Sequence, residues 1–329
     1  MRSVLSAIAR FFTEKIGWHR FGVFFSLTII TVAAFVLYRK LQGIHVDKVL
    51  DAMATVEYRD VAIAALFVAV GYGTLTFYDL FALRTIGRKD VPYRVAALAG
   101  FTSYAVGHNV GASVFTGGAV RYHIYSSWGL SAVEVAKICF IAGLTFWLGN
   151  ITILGLGIAY EPSAATDIDQ LPMWLNRGIG IFALIVLVSY VTWVWLAPRM
   201  IGRLNWEVRL PGGPLTLLQV VLGICDMGSC AAAMYMLMPN EPYMDFAGIG
   251  VIFVCATLLG FLSHSPGGLG VFDAAMLVAL WEFDREELLA GLLLFRLLYY
   301  ITPFVFALTI LGSRELVLGV TRSRKIAGK

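Results

Sequence analysis

Apolar residues along this chain come in runs long enough to span a bilayer, and they do not alternate with polar ones. Residues 21–38 carry no charge at all, and residues 61–83 carry one acidic residue, Asp79, and no base. About 20 apolar residues make a helix that crosses the ~30 Å hydrocarbon layer. A transmembrane β-barrel would need strands that alternate apolar and polar positions, which these runs lack. The pattern predicts an all-α polytopic membrane protein with six crossing helices, at residues 21–38, 61–83, 135–160, 179–198, 215–238 and 288–311. Between Arg39 and Asp60, Val46, Leu50, Met53 and Val56 recur at helical spacing. That spacing predicts an interfacial helix on the outer surface.

Two further apolar runs are interrupted by residues that break helices. Residues 95–120 contain Gly107-His108-Asn109 and, further on, Gly117-Gly118. Residues 246–281 contain Ser263-His264-Ser265-Pro266-Gly267-Gly268-Leu269-Gly270.

Charge decides how these runs are read. Lys and Arg collect in short cytoplasmic loops. Placing the N-terminus to Arg20, residues 84–94, 121–137 and 199–209, and the tail from Ser313 inside puts 18 basic residues there, against 6 in the loops left outside. Both termini are then cytoplasmic, in a cell membrane. Each broken run begins and ends on one side, so both read as re-entrant hairpins, one entering from each face. The chain becomes a single membrane domain, residues 1–329, with halves at about 21–160 and 179–312 and a short basic tail at 313–329. Each half crosses an odd number of times, so the halves form an inverted repeat, a build recurrent in transporters. In the alternative, residues 95–120 simply cross, which would place acidic Glu161 to Asp169 inside. The first segment, with its basic flank and no small-residue cleavage site, reads as a retained signal anchor.

Composition agrees. Of 329 residues, 59% are hydrophobic and only 14% charged, against about a quarter charged in soluble domains. The net charge of +4 is too small to argue for nucleic acid. Cys139, Cys225, Cys230 and Cys255 lie inside apolar runs without metal-site spacing, and read as small apolar fillers. No zinc motif and no phosphate-binding loop occurs, so neither a metal nor another cofactor is expected.

Candidate chemistry concentrates at the breaks and at ionisable residues within apolar runs. Unwound glycine pairs expose amide donors that suit an anion. Thr116-Gly117-Gly118 and Pro266-Gly267-Gly268-Leu269-Gly270 fit that reading, with Asn109 and His264 beside them. Gly143, Gly149 and Gly155 read instead as close-packing positions between helices. Ionisable residues inside a membrane are costly and mark candidate functional positions: Asp226, Asp273 and Arg296, whose helical face Tyr299 shares. Arg296 can contact substrate or lock two helices by pairing with Asp273 or Asp226. Asp79 lies five residues before Arg84 and is expected near the interface with that arginine. Arg121 follows the first glycine cluster directly. Gly111-Ala112-Ser113 lacks the second glycine of a nucleophile elbow, and His264 between Ser263 and Ser265 has no oriented third group, so no catalytic residue is expected.

Several motifs are familiar. Residues 115–125, FTGGAVRYHIY, followed by Trp128-Gly129-Leu130-Ser131, resemble a signature of the membrane region of lysylphosphatidylglycerol synthase/flippase proteins. Residues 266–272, PGGLGVF, resemble a second. Family members usually carry Glu where Asp273 stands. Tyr78-Asp79-Leu80 with Ala82-Leu83-Arg84, and Phe295 to Tyr300 with Pro303, also match. The resemblance covers nearly the whole chain and implies the translocating half without the aminoacyl-transferase half. It thus implies a lipid flippase-like protein, not an enzyme, that moves an anionic or aminoacylated phospholipid between leaflets. The lipid phosphate is expected against glycine-cluster amides and Arg121 or Arg296, with Tyr122, Tyr299 and Tyr300 nearby. Its partners would be membrane phospholipids, with homo-oligomerisation left open. In the alternative reading, the chain is a non-transporting membrane partner of a separate lipid- or glycan-modifying enzyme.

Overall fold

In the computed structural model, the described residues are 44–327 except 170 and 204–205, together with seven positions between 31 and 42. The expected first crossing, residues 21–38, falls almost entirely outside them. A short helix α1 (Val46–Thr55) occupies the stretch where helical spacing was noted. The long helix α2 (Tyr58–Thr85) follows, and then a broken pair, α3 (Tyr93–Val110) and α4 (Ser113–Tyr125). Next come α5 (Ala132–Tyr160), the short α6 (Pro162–Asp169) and α7 (Met173–Leu196). A small antiparallel hairpin, β1 (Met200–Arg203) and β2 (Trp206–Arg209), leads into α8 (Gly213–Met236). The second broken pair is α9 (Phe246–Ser263) and α10 (Val271–Ala279). Finally α11 (Arg285–Arg296) runs through a π-helical turn, Leu297–Ile301, into α12 (Thr302–Ala327).

Among the described residues six helices are long and apolar enough to cross a membrane. Five coincide with expected crossings. The sixth is α9, expected as one arm of a hairpin. Its 18 residues rise about 27 Å, slightly less than the hydrocarbon thickness.

Each break has a local cause. Gly111 (φ +83°) and Ala112 (φ +46°) adopt left-handed backbone and turn the chain from α3 into α4. Ser113 Oγ donates to the Gly107 carbonyl (3.0 Å), which also accepts from the Gly111 amide, and so ties the start of α4 to the end of α3. In the second break His264, Gly267, Gly268 and Gly270 all have positive φ. Elsewhere helix ends follow ordinary rules. Ser131 caps α5 in a capping box with Glu134. Ser131→Ala should therefore cost about 1 kcal/mol, read as a lower melting temperature of the detergent-solubilised protein. Arg88 ties the loop before α3 to the same box, bonding Glu134 (3.0 Å) and Asp90 (3.0 Å). That guanidinium holds the Asp90 carboxyl below the usual carboxylate range.

The helices pack where side chains are smallest. α5 and α8 cross with Gly149 against Gly223. A Cβ built on Gly223 would lie 2.6 Å from the Gly149 Cα. Gly155 meets Gly180 and Leu184 of α7 in the same way. Gly143 does not pack: a Cβ there would meet nothing within 4 Å. α3 approaches α2 at Gly100, whose Cβ would lie 3.1 Å from the Leu75 carbonyl. The two breaks also touch. A Cβ on Gly111 would lie 3.2 Å from Pro266, and Asn109 Nδ2 donates to the Tyr300 carbonyl (3.0 Å).

Candidate functional site

Where the breaks meet, the structure holds a cavity of about 250 Å³ lined by α3, α4, α5, α8, α9, the second break and the π-helical turn. Its wall is mostly apolar, and Arg121 is the one Lys, Arg, Asp or Glu among its described lining residues. Several polar groups on this wall have unused hydrogen-bonding capacity. Ser103 Oγ and His108 Nδ1 are buried without a partner. The amides of Ser113 and Val114, in the first turn of α4, have no hydrogen bond, because α4 starts afresh after the break. Arg121 uses Nε and Nη2 on Asp79, and beyond a side-chain contact with Cys139 its Nη1 has no hydrogen bond of comparable geometry among the described residues.

The arginine is held in place by its partners. Asp79 is fully buried, and its oxygens accept from Arg121 at 2.8–3.1 Å and from the Tyr125 hydroxyl at 2.8 Å. The guanidinium also lies over the Tyr104 ring, 4.7 Å from its centroid. Asp79 is therefore not an interfacial partner of Arg84, which instead donates to the carbonyls of Arg88 and Val91. The close approach of α3 to α2 at Gly100 brings α4, and with it Arg121, over Asp79.

A second pair forms on the other side of the second break. Arg296 donates side-on to Asp273 at 2.9 and 2.6 Å, and its Nη1 reaches the Gly267 carbonyl at 3.2 Å. Of the two roles read for Arg296, the geometry shows the locking one. Asp273 also accepts from the Gly270 amide (3.1 Å) and so caps α10. Asp226 has no arginine. It is 1% exposed and accepts one hydrogen bond, from the Tyr78 hydroxyl at 3.1 Å.

The glycine clusters behave differently from the expectation. Thr116, Gly117 and Gly118 lie inside α4, because the unwinding occurs at Gly111-Ala112 instead. Thr116 Oγ1 donates back to Gly111 (3.0 Å). Gly117 serves close packing, since a Cβ would lie 3.1 Å from the Ser103 carbonyl. In the second cluster the amides of Gly268, Leu269 and Gly270 are hydrogen-bonded, while that of Gly267, on the cavity wall, is not.

Of the residues singled out by sequence, Arg121, His264, Gly267, Gly268, Tyr299 and Tyr300 line the cavity. Asn109, Thr116, Gly117, Gly118, Pro266, Gly270, Asp273, Arg296, Asp79 and Asp226 are not among its lining residues. Tyr122 points away and is 47% exposed. Among the described residues no group of three or more His, Cys, Asp or Glu could hold a metal ion.

Comparison with known proteins agrees with this arrangement of long and broken apolar helices. The family described as the lysylphosphatidylglycerol synthase TM region matches residues 23–307. The chain belongs to this family. An uncharacterized protein of Synechocystis sp. is 31% identical over 251 residues, covering 75% of this chain and 77% of that protein. The inner membrane protein YbhN of Escherichia coli is 27% identical over 259 residues, covering 76% and 80%. The phosphatidylglycerol lysyltransferase of Staphylococcus xylosus is 26% identical over 298 residues, covering 86% of this chain but only 33% of that enzyme. The lysylphosphatidylglycerol synthase TM region is thus a multi-pass membrane unit present in this chain and as part of larger enzymes.

Sequence reasoning missed Ser103, Tyr104 and the amides of Ser113 and Val114. Ser103 is an ordinary helical serine by sequence. Its missing partner is a property of what packs around it. Tyr104 had a detectable signal, since it precedes His108 by one helical turn and so shares its face.

Proposed function

We propose that this chain moves a phospholipid, anionic or aminoacylated, between membrane leaflets by passing its headgroup through the cavity at the two breaks. The observation that carries this reading is a cavity wall on which, among the described residues, Arg121 and the first-turn residues Ser113 and Val114 of α4 lie without a carboxylate. A phosphodiester offers several acceptor oxygens and one negative charge, which Arg121 and the start of α4 complement. Acyl chains stay in the bilayer beside the exposed apolar faces, so only the headgroup needs shelter. The kinship with phosphatidylglycerol lysyltransferases supports a phosphatidylglycerol-type lipid. In this reading the two broken pairs are opposed re-entrant hairpins of one membrane domain with inverted halves, and both termini are cytoplasmic.

Reconstitution in vesicles with headgroup-labelled phosphatidylglycerol tests it. The protein should speed leaflet exchange above that of empty vesicles. Gly143→Phe places a ring in the cavity without striking a wall, because a Cβ there meets nothing within 4 Å. It should slow exchange at least about tenfold, equivalent to about 1.4 kcal/mol on the barrier. An active wild type with an equally active, folded Gly143→Phe would refute the cavity route.

A further inference from the structure

Among the described residues three carboxylates lie inside the bundle, and two of them are closed by an arginine: Asp79 by Arg121 and Asp273 by Arg296. Asp226, in the interior of α8, is the exception. Its Oδ2 accepts from Tyr78, while Oδ1 is buried with no donor. The titratable groups facing it are Tyr72 and Tyr78 on α2, Tyr104 on α3, Tyr299 in the π-helical turn and Cys230 on its own helix. None of these offers a positive charge. α5 meets α8 through Gly149, Gly223 and the Gln219–Thr145 hydrogen bond (2.8 Å), and none of these residues titrates. Among the described residues, no charged side chain of another helix packed on α8 reaches the carboxylate. An ionised carboxylate without countercharge in such surroundings is costly, and uptake of a proton removes the cost.

The group is also one side chain from the proposed transport route. Met227 and Cys230, beside it on α8, line the cavity, as does Tyr104, whose ring packs edge-on against Tyr78 at 6.1 Å. A charged headgroup entering the cavity changes the field at Asp226 and therefore the cost of ionising it.

We propose that Asp226 is a proton-binding site that couples headgroup movement through the cavity to a transmembrane proton gradient, an inference that rests on the lipid-transport reading above. The cycle balances simply. Water on the acidic side delivers a proton to a carboxylate oxygen, an O–H bond forms, and that bond breaks when the site faces the other side, where water takes the proton. The carboxylate is restored, and nothing is oxidised or reduced.

The test is reconstituted protein with labelled phosphatidylglycerol under a pH gradient of one unit. One proton per lipid shifts the steady-state ratio of label between leaflets by up to about tenfold. With Asp226→Asn the ratio should return to one, and with Asp226→Glu the shift should persist. Exchange by the wild type to a ratio of one despite the gradient would overturn the coupling but not the transport. A gradient-driven ratio that survives in Asp226→Asn would overturn the assignment to this residue. Absence of any wild-type exchange would instead refute the transport reading. A measurement independent of transport uses infrared spectroscopy on the intact protein carrying carboxyl-labelled aspartate. A protonated-aspartate carbonyl band at neutral pH is expected, and its absence would overturn the proposal even if Asp226→Asn does not fold.

Discussion

Arg121→Ala is expected to destabilise the protein by about 3–5 kcal/mol, because it leaves Asp79 charged, buried and without its partner. Three hydrogen bonds from the guanidinium reach this fully buried carboxylate. The Tyr125 hydroxyl alone would remain to solvate it. Most of the loss comes from the orphaned charge and not from a large net value of the pair, since Coulomb attraction in a buried pair is largely offset by desolvation. The double variant Asp79→Leu, Arg121→Met should therefore recover most of the stability that the single variant loses. Thermal melts of the four proteins in one detergent form the cycle that checks this. Comparable melting temperatures for wild type and Arg121→Ala would show that the pair does not hold α4 against α2. Arg121→Lys should not substitute, because an ammonium cannot reproduce the side-on pair of bonds or stack on Tyr104.

Gly149→Ala is the second large effect, expected to cost about 3 kcal/mol through overpacking. The new Cβ would collide with the backbone of Gly223, which has no rotamer through which to yield. α5 and α8 would have to move apart, disturbing the Gln219–Thr145 bond and the seating of Asp226 on α8. Gly73→Ala in α2 is the contrast. Its Cβ meets nothing within 4 Å, so the substitution should gain up to about 1 kcal/mol of helix propensity. Melting temperatures moving in the same direction for both variants would contradict the close crossing at Gly149 and Gly223.

The positions of the breaks were largely legible, and their mechanics only partly so. Glycine, proline and polar residues in an apolar run mark unwinding because they act on their own stretch of backbone, and both expected interruptions are present. Which residue turns the chain is a finer matter. In the first break the left-handed positions are Gly111 and Ala112, and alanine carries no signal for that backbone. Thr116-Gly117-Gly118 was conspicuous by sequence, yet Gly117 serves a helix contact with Ser103 and Gly118 lies against Cys139. Gly149 and Gly155 were read rightly as packing positions. Gly143 was not, since it faces the cavity.

The sequence by itself determined that this is a helical membrane protein with two interrupted segments, and that Asp79, Asp226, Asp273 and Arg296 are ionisable residues within apolar runs. Hydrophobic run length and helix-breaking residues are properties of neighbouring positions, so they can be read along the chain. The tertiary structure alone decided that Arg121 belongs to Asp79 across 42 residues and Arg296 to Asp273 across 23. It also decided that Asp226 is left with a tyrosine. The physical reason is that a buried carboxylate takes whichever donor the packing of distant helices brings within about 3 Å. That packing turns on backbone approaches at Gly100, Gly111 and Gly149, whose partners no local pattern reveals.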